Sequence, residues 1–128
     1  MADFRLAAPA EAQLIEILNH SAATFGDSAR ERYAALLVRA MQDIAETHDR
    51  PSVTWKQTQL GQVGVYHVRY SRHRVPSPPG PVLEPRHFLV FQIGKDRIVN
   101  ILGFIHDSML FTRALNRIAR QGEHDPER

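Results

Sequence analysis

Several ingredients are absent or scarce in this sequence. It contains no cysteine, which excludes disulfide bonds, thiolate metal ligands and cysteine nucleophiles, and suits a reducing cytosol. No apolar run approaches the roughly 20 residues that span a membrane. The first residues lack the apolar centre of a signal peptide. We therefore expect a soluble, cytoplasmic protein with no membrane partner.

Charge is abundant but unevenly distributed among the 128 residues. Residues 1–49 carry four Arg against eight Asp and Glu, whereas residues 50–97 carry six Arg and two Lys against two acids. A basic middle beside an acidic first third indicates a polarised surface that suits acidic partners. The length predicts a single domain over residues 1–120, followed by a flexible polar tail over 121–128.

The first half of the chain predicts two consecutive helices. Phe4 and Leu6 alternate with polar neighbours, which is typical of a short strand. Pro9 suits the start of a helix that ends at Gly26. Ser28 and Glu31 have the spacing of a capping box for the second helix. This pattern predicts a helical hairpin after the first strand.

The second half predicts strands and one more helix. We predict strands over 63–70, 87–93 and 98–105, with loops over 51–61 and 71–85. Ser108 or Asp107 is expected to cap the last helix. The resulting order, β-α-α-β-β-β-α, predicts an α+β fold in which a helical hairpin packs on a small, mostly antiparallel sheet.

Hairpin topology predicts that basic side chains meet at one end of this sheet. The expected cluster comprises Arg69, Arg72, Arg74, Arg86, His87 and His106. Such a cluster could bind an acidic protein or a phosphate surface, or it could cleave RNA with His as acid or base. His67, His87 and His106 could hold a metal, but no carboxylate or cysteine stands at ligand spacing. We expect no metal and no cofactor.

Several segments of the chain resemble the ParE/RelE family of toxins from bacterial type II toxin–antitoxin systems. Tyr66-His67 followed by Ser71-Arg72 is similar to a family pattern in which a Tyr-His strand ends in Ser-Arg-x-Arg. The segments 85–90 and 98–109 resemble the Pro-Arg-His-Phe-Leu strand and the closing strand with its His-Asp-x-Met turn. The resemblance extends from about Ala10 to Ile118.

The resemblance implies a growth-inhibiting toxin and leaves three alternatives open. The ParE branch implies a non-enzymatic inhibitor of DNA gyrase, which we favour because the strands offer no general-base carboxylate. The RelE branch implies a ribosome-dependent mRNA endoribonuclease. The third alternative is a remnant that only binds antitoxin, because Gly103 or Phe104 stands where relatives carry Arg, and Leu110 where they carry Asp.

Every alternative implies a cognate antitoxin, to which we assign Tyr33, Leu37 and Met41 of the second helix. We expect an antitoxin tail to fold across the hairpin and the sheet edge. The target-binding residues are expected to be Arg69, Arg72, Arg74 and Arg86. A ribonuclease would use His106, His87 and Arg86. Direct sequence-specific DNA binding is expected of the antitoxin, because this chain has no recognition-helix motif.

Overall fold

A helical hairpin follows a short first strand in the computed structural model, which describes residues 3–123. The strand is β1 (Phe4–Leu6), and the helices are α1 (Ala8–Phe25) and α2 (Asp27–Glu46). Gly26 joins the helices with a φ of 94°, a conformation that favours glycine, and its N–H donates to the Ala22 carbonyl at 2.9 Å. The predicted helix end at Gly26 is confirmed.

The capping box that we predicted at the start of α2 is wrong. The helix already begins at Asp27, with Gly26 as its N-cap and no side-chain capping hydrogen bond. Ser28 therefore lies inside the first turn, two residues after the capping position. The tight turn at Gly26 is the reason, because it allows α2 to start without an intervening linker.

Five strands form one sheet in the order β1-β5-β4-β3-β2. The later strands are β2 (Val53–Thr58), β3 (Gly61–His67), β4 (His87–Ile93) and β5 (Val99–His106). Only the outer pair of β1 and β5 is parallel, and the other three pairs are antiparallel. The predicted α+β class, with a helical hairpin and a mostly antiparallel sheet, is confirmed.

Two predicted boundaries in the middle of the chain are wrong. The expected loop over 51–61 contains β2, an edge strand whose Thr54, Lys56 and Gln57 are exposed and so lack a hydrophobic signal. The strand expected to continue to Tyr70 ends at His67, where a 3₁₀ helix (Val68–Arg74) begins. The chain turns there because the Arg69 N–H donates to His67 Nδ1 at 3.1 Å.

Helices cover both faces of the sheet. One face packs against the hairpin around Leu36, Met41, Tyr66 and Phe91. The other face packs against α3 (Phe111–Glu123) through a second core that includes Leu115. None of the helices within residues 3–123 is long and apolar enough to cross a membrane.

The start of α3 differs from the prediction. The N–H of Ala114 donates to the carbonyl of Leu110 at 3.0 Å, so the helix starts after Leu110 rather than at Ser108 or Asp107. The Asp107 carboxylate instead accepts hydrogen bonds from two other side chains. At the far end, residues 121–123 continue the helix, and the remainder of the expected tail lies outside the described residues.

Candidate target-binding site

His87 and His106 face each other at one end of the sheet. They are register partners in the antiparallel pair of β4 and β5. Their rings meet edge to face, with 5.1 Å between the ring centroids. The prediction that residues near 86 and 87 lie beside residues 104–106 is confirmed. The turn after Ile93 makes the strands antiparallel neighbours, and a one-residue register shift between Val90 and Phe91 sets His87 opposite His106.

Tyr33 of α2 connects the hairpin to this sheet end. Its hydroxyl accepts a hydrogen bond from the Arg86 backbone N–H at 3.0 Å. It therefore directs its own proton to His87 Nδ1, 2.6 Å away. Burial raises the pKa of Tyr33 to about 12 and lowers the pKa of His87 to about 4. Both side chains are consequently neutral near pH 7.

Asp107 joins two strands at the same end. Its carboxylate accepts from Arg86 Nε at 2.8 Å and from His67 Nε2 at 3.2 Å. Its backbone N–H also donates to the Arg86 carbonyl at 2.8 Å. Burial alone would raise the pKa of Asp107, but the hydrogen bonds from His67 and Arg86 outweigh burial and lower it. The ionised carboxylate thus holds Arg86 in one orientation.

His67 supports this arrangement from inside the protein. Its Nδ1 accepts from the Arg69 N–H, so its proton resides on Nε2 and points at Asp107. Burial lowers the pKa of His67, with Asp107 opposing that shift. The His67 ring lies edge to face on Phe88, with 4.8 Å between centroids. A neutral, buried imidazole of this kind orients a neighbour rather than transferring protons to solvent.

His106 is the more exposed of the two facing histidines, with 39% of its side chain accessible. Its Nδ1 accepts from both the N–H of Ser108, at 3.1 Å, and the hydroxyl of Ser108, at 2.7 Å. The ring nitrogen that remains for a ligand is Nε2. Among the described residues, no three His, Cys, Asp or Glu side chains group as a metal site.

Three of the four arginines assigned to target binding, Arg69, Arg72 and Arg74, lie on the 3₁₀ helix. Arg69 stacks over the half-exposed ring of Tyr70, with its guanidinium carbon 4.8 Å from the centroid. Arg72 donates to the Leu83 carbonyl at 3.2 Å, which ties the 3₁₀ helix to the proline-rich loop. Arg86 is half-exposed and held by Asp107. The side chains of Arg69, Arg72 and Arg86 remain available at the surface.

Arg74 turns away from the predicted cluster toward a buried carboxylate. Its Nε donates to Asp43 at 3.0 Å, and Arg39 donates to the same oxygen at 3.0 Å. Ser71 donates to the other oxygen of Asp43 at 2.6 Å and contacts the hydroxyl of Tyr66 at 2.8 Å. The Asp43 side chain is completely buried. The grouping of Arg74 with the sheet-end residues is therefore wrong, because Asp43 attracts it.

Sequence reasoning missed Asp43, although a signal was present. Asp43 follows Leu36 by seven residues and Ala40 by three, which places it on the apolar side of α2. A carboxylate on a buried helix face requires partners, since an unpaired buried charge costs several kcal/mol. The basic residues of the following loop were the natural candidates for that pairing.

The chain matches a family model described as the ParE toxin of the type II toxin–antitoxin system parDE, over residues 4–111. The chain belongs to the ParE toxin family. Comparison with curated proteins found no match. The matched range covers every element from β1 to the start of α3, including the sheet end described above. The protein is thus the toxin component of a type II toxin–antitoxin system, and the family implies an antitoxin partner.

Two of the three residues that we assigned to antitoxin binding are inaccessible to a partner in this ParE-family toxin. Leu37 and Met41 are buried in the core between the hairpin and the sheet. Their side chains cannot contact a partner while the core is intact, so that assignment needs correction. Tyr33 is only partly buried, but its hydroxyl is committed to His87 and Arg86. The large apolar residues that the hairpin exposes are Ile15, Phe25 and Val38.

Gly103 of β5 lies where two helices crowd the strand in this ParE-family toxin. A Cβ on Gly103 would lie 2.8 Å from both Gln13 Oε1 and Ile118 Cδ1, so α1 and α3 approach β5 closely at this point. Because α1 lies so close to β5, Gln13 Oε1 can accept a hydrogen bond from the Phe104 N–H at 2.8 Å.

Proposed function

We propose that this toxin inhibits DNA gyrase by binding it through the sheet-end surface and that no bond is cleaved at this surface. The supporting observation is that two of the three candidate catalytic groups, His87 and Arg86, are engaged by neighbours within the protein. Tyr33 occupies Nδ1 of His87, and Asp107 holds Arg86. A general acid or base works best with a pKa near the operating pH, whereas the pKa of His87 lies at about 4.

The size of the neighbouring cavity also argues against a substrate pocket. The depression beside His87 and His106 has a volume of about 150 Å³. Pockets that enclose a small ligand typically measure about 300–1,000 Å³. A nucleotide would therefore lie largely outside this depression, where few groups could surround a scissile phosphate.

The surrounding surface has the composition of a protein-binding site. Arg69 stacks on half-exposed Tyr70, and Arg86 is oriented by Asp107. Arginine and tyrosine are enriched among the residues that dominate binding energy at protein interfaces. Because both guanidinium groups are pre-oriented, they lose little side-chain entropy on binding. We infer that they contact an acidic surface of gyrase.

A supercoiling assay with purified chain tests this proposal. We expect inhibition of gyrase by the wild-type toxin and about tenfold weaker inhibition by Arg86→Gln or Arg69→Gln, because each loses a charge-assisted contact. Arg30→Gln is the matched control, since Arg30 is an exposed arginine on α2. Absence of inhibition at excess wild-type toxin would contradict the proposal.

The ribonuclease alternative is measured in parallel with translating ribosomes. Under our proposal, mRNA in the ribosomal A site stays intact in the presence of toxin. Cleavage that disappears in His106→Ala would instead assign the toxin to the ribonuclease class. Normal growth on expression without antitoxin would favour a chain that only binds antitoxin.

We further propose that the antitoxin neutralises the toxin by covering the outer face of the hairpin. Ile15, Phe25 and Val38 expose 54, 72 and 43% of their surface there, so an amphipathic antitoxin segment would bury apolar area. Calorimetry with the product of the neighbouring operon gene tests this. Val38→Glu should weaken binding at least tenfold, whereas Gln57→Glu on exposed β2 should not. Equal affinity for both variants would place the antitoxin elsewhere.

A further inference from the structure

The outward face of α3 has an unusual composition. Buried Ala114, Leu115, Ile118 and Ala119 hold the helix on the sheet. Over residues 112–121, the exposed side chains are all polar or cationic: Thr112, Arg113, Asn116, Arg117, Arg120 and Gln121. Within this range no exposed side chain is acidic, apolar or aromatic. A face that serves only to contact water usually mixes both signs of charge, so this composition indicates an anionic ligand.

The three arginines of this face form a stripe. Their spacing of four and three residues places them about 6 Å and 4.5 Å apart along the axis, within about 60° around it. Among residues 3–121, whose side chains the structure describes, no carboxylate lies within ion-pair distance of these three arginines, whereas Arg39, Arg74 and Arg86 all have one. Glu16 lines the same small depression as Arg117 without pairing to it. The charge of the stripe is therefore available to a ligand.

We propose that the outward face of α3 binds the phosphate backbone of duplex DNA through Arg113, Arg117 and Arg120. Arginine donates forked hydrogen bonds that match phosphate oxygens. Thr112, Asn116 and Gln121 flank the stripe and supply further donors. A clustered basic stripe along a helix is the electrostatic signature of nucleic-acid binding.

Two features favour duplex DNA over other anionic partners. A single strand would require exposed aromatic side chains on which bases stack, and the described face over 112–121 has none. An acidic protein partner would require apolar or aromatic anchors at the centre of its interface. The apolar side chains beside the stripe lie at its N-terminal end, where Leu110 and Phe111 line the same depression as the arginines. The centre of the stripe is entirely polar.

This binding is sequence-independent, because it uses the backbone rather than base edges. The proposed gyrase contact uses Arg69 and Arg86, and the stripe reaches the same sheet end only through Arg117, which lines the depression beside His87 and His106. A toxin with both surfaces would contact gyrase and the DNA that gyrase holds at the same time. The two proposals can fail separately, since DNA binding is measured without gyrase.

Fluorescence anisotropy with the full-length chain and a short duplex of random sequence tests the proposal. Three phosphate contacts predict a slope of about −2.7 for log K against log salt. This slope corresponds to about 40-fold weaker binding at 200 mM than at 50 mM salt. The triple variant R113Q/R117Q/R120Q should lose most of the slope, whereas the corresponding triple lysine variant should retain it.

A matched control separates local contacts from net charge. The variant R30Q/K56Q/K95Q removes the same charge from exposed positions elsewhere and should retain the slope. Circular dichroism verifies folding, which glutamine on an exposed helix face should preserve. The proposal is overturned if wild-type toxin does not bind the duplex or if the two triple glutamine variants lose equal affinity. Displacement of the duplex by polyglutamate at lower concentration than by competing DNA would also overturn it, in favour of a protein partner.

Discussion

The hydroxyl of Tyr33 is hydrogen-bonded to Nδ1 of His87 across 2.6 Å. This contact joins the second helix of the hairpin to the end of β4, and the Arg86 N–H completes it by donating to the same hydroxyl. It fixes the proton of His87 on Nε2, the nitrogen that faces away from Tyr33. The packing of α2 against the sheet thereby influences the hydrogen bonding and the protonation state of His87, which the sequence analysis assigned to catalysis.

Tyr33→Phe should destabilise the protein by about 1–2 kcal/mol, because His87 loses its donor and the Arg86 N–H loses its acceptor. Urea denaturation measures this change. Tyr70→Phe is the matched control, since its ring is half-exposed and its hydroxyl contacts only Arg69 among the described hydrogen-bond partners. It should cost less than about 0.5 kcal/mol. Equal losses in both variants would argue against a structural role for the Tyr33 hydroxyl.

Stability should fall as the pH drops from about 6.5 toward about 4. Folding lowers the pKa of His87 from its ordinary value of 6.5 to about 4, mainly through burial. Between these values the unfolded chain binds more protons, so acid favours unfolding, by up to about 3 kcal/mol. Burial shifts the pKa of His67 in the same direction.

The comparison for this pH dependence is His87→Gln, which removes the titrating imidazole. Free energies of unfolding measured across this pH range should decline less steeply in the variant than in the wild type. Nuclear magnetic resonance of the His87 ring protons should show a midpoint near pH 4. A profile that is equally steep in both proteins, or a midpoint near 6.5, would count against the buried, neutral imidazole.

Asp43→Asn should reduce stability by about 3 kcal/mol, because it leaves two arginines facing a neutral, buried amide. Asp43 accepts from Arg39, Arg74 and Ser71 while its side chain is completely buried. Thermal denaturation measures the loss. The exposed Asp49 offers the control, and Asp49→Asn should change stability by less than about 0.5 kcal/mol. A similar small change for Asp43→Asn would refute the anchoring role.

Gly64→Ala should destabilise the sheet by about 1–3 kcal/mol through overpacking. A Cβ at this position would lie 2.2 Å from Phe91 Cζ, and the Phe91 ring is fully buried against Trp55. Phe91→Leu shortens the obstructing side chain. In a double-mutant cycle, the combined loss should therefore be smaller than the sum of the two single losses. Additive losses would show that the close approach is not the cause.

Local sequence signals predicted a large part of the architecture. Gly26 marked the hairpin turn because glycine readily adopts the positive φ found there. The apolar segments that became β4 and β5 were recognisable because both are largely buried. Strand β2 escaped prediction because its exposed Lys56 and Gln57 carry no hydrophobic periodicity, and only pairing with β3 makes it a strand.

The sequence alone indicated most of the elements, the α+β class and the family, since these depend on hydrophobic periodicity, turn residues and short motifs that are local in the chain. Tertiary structure alone decided the partners of the charged and titratable groups. Arg74 pairs with Asp43, and Arg86 pairs with Asp107. Which acid each arginine contacts depends on distances that are defined only in the folded chain. Burial in the folded chain likewise keeps the His87 imidazole neutral and places the Leu37 side chain in the core. The extent of burial depends on neighbours that are distant in the sequence, so it could not be predicted locally.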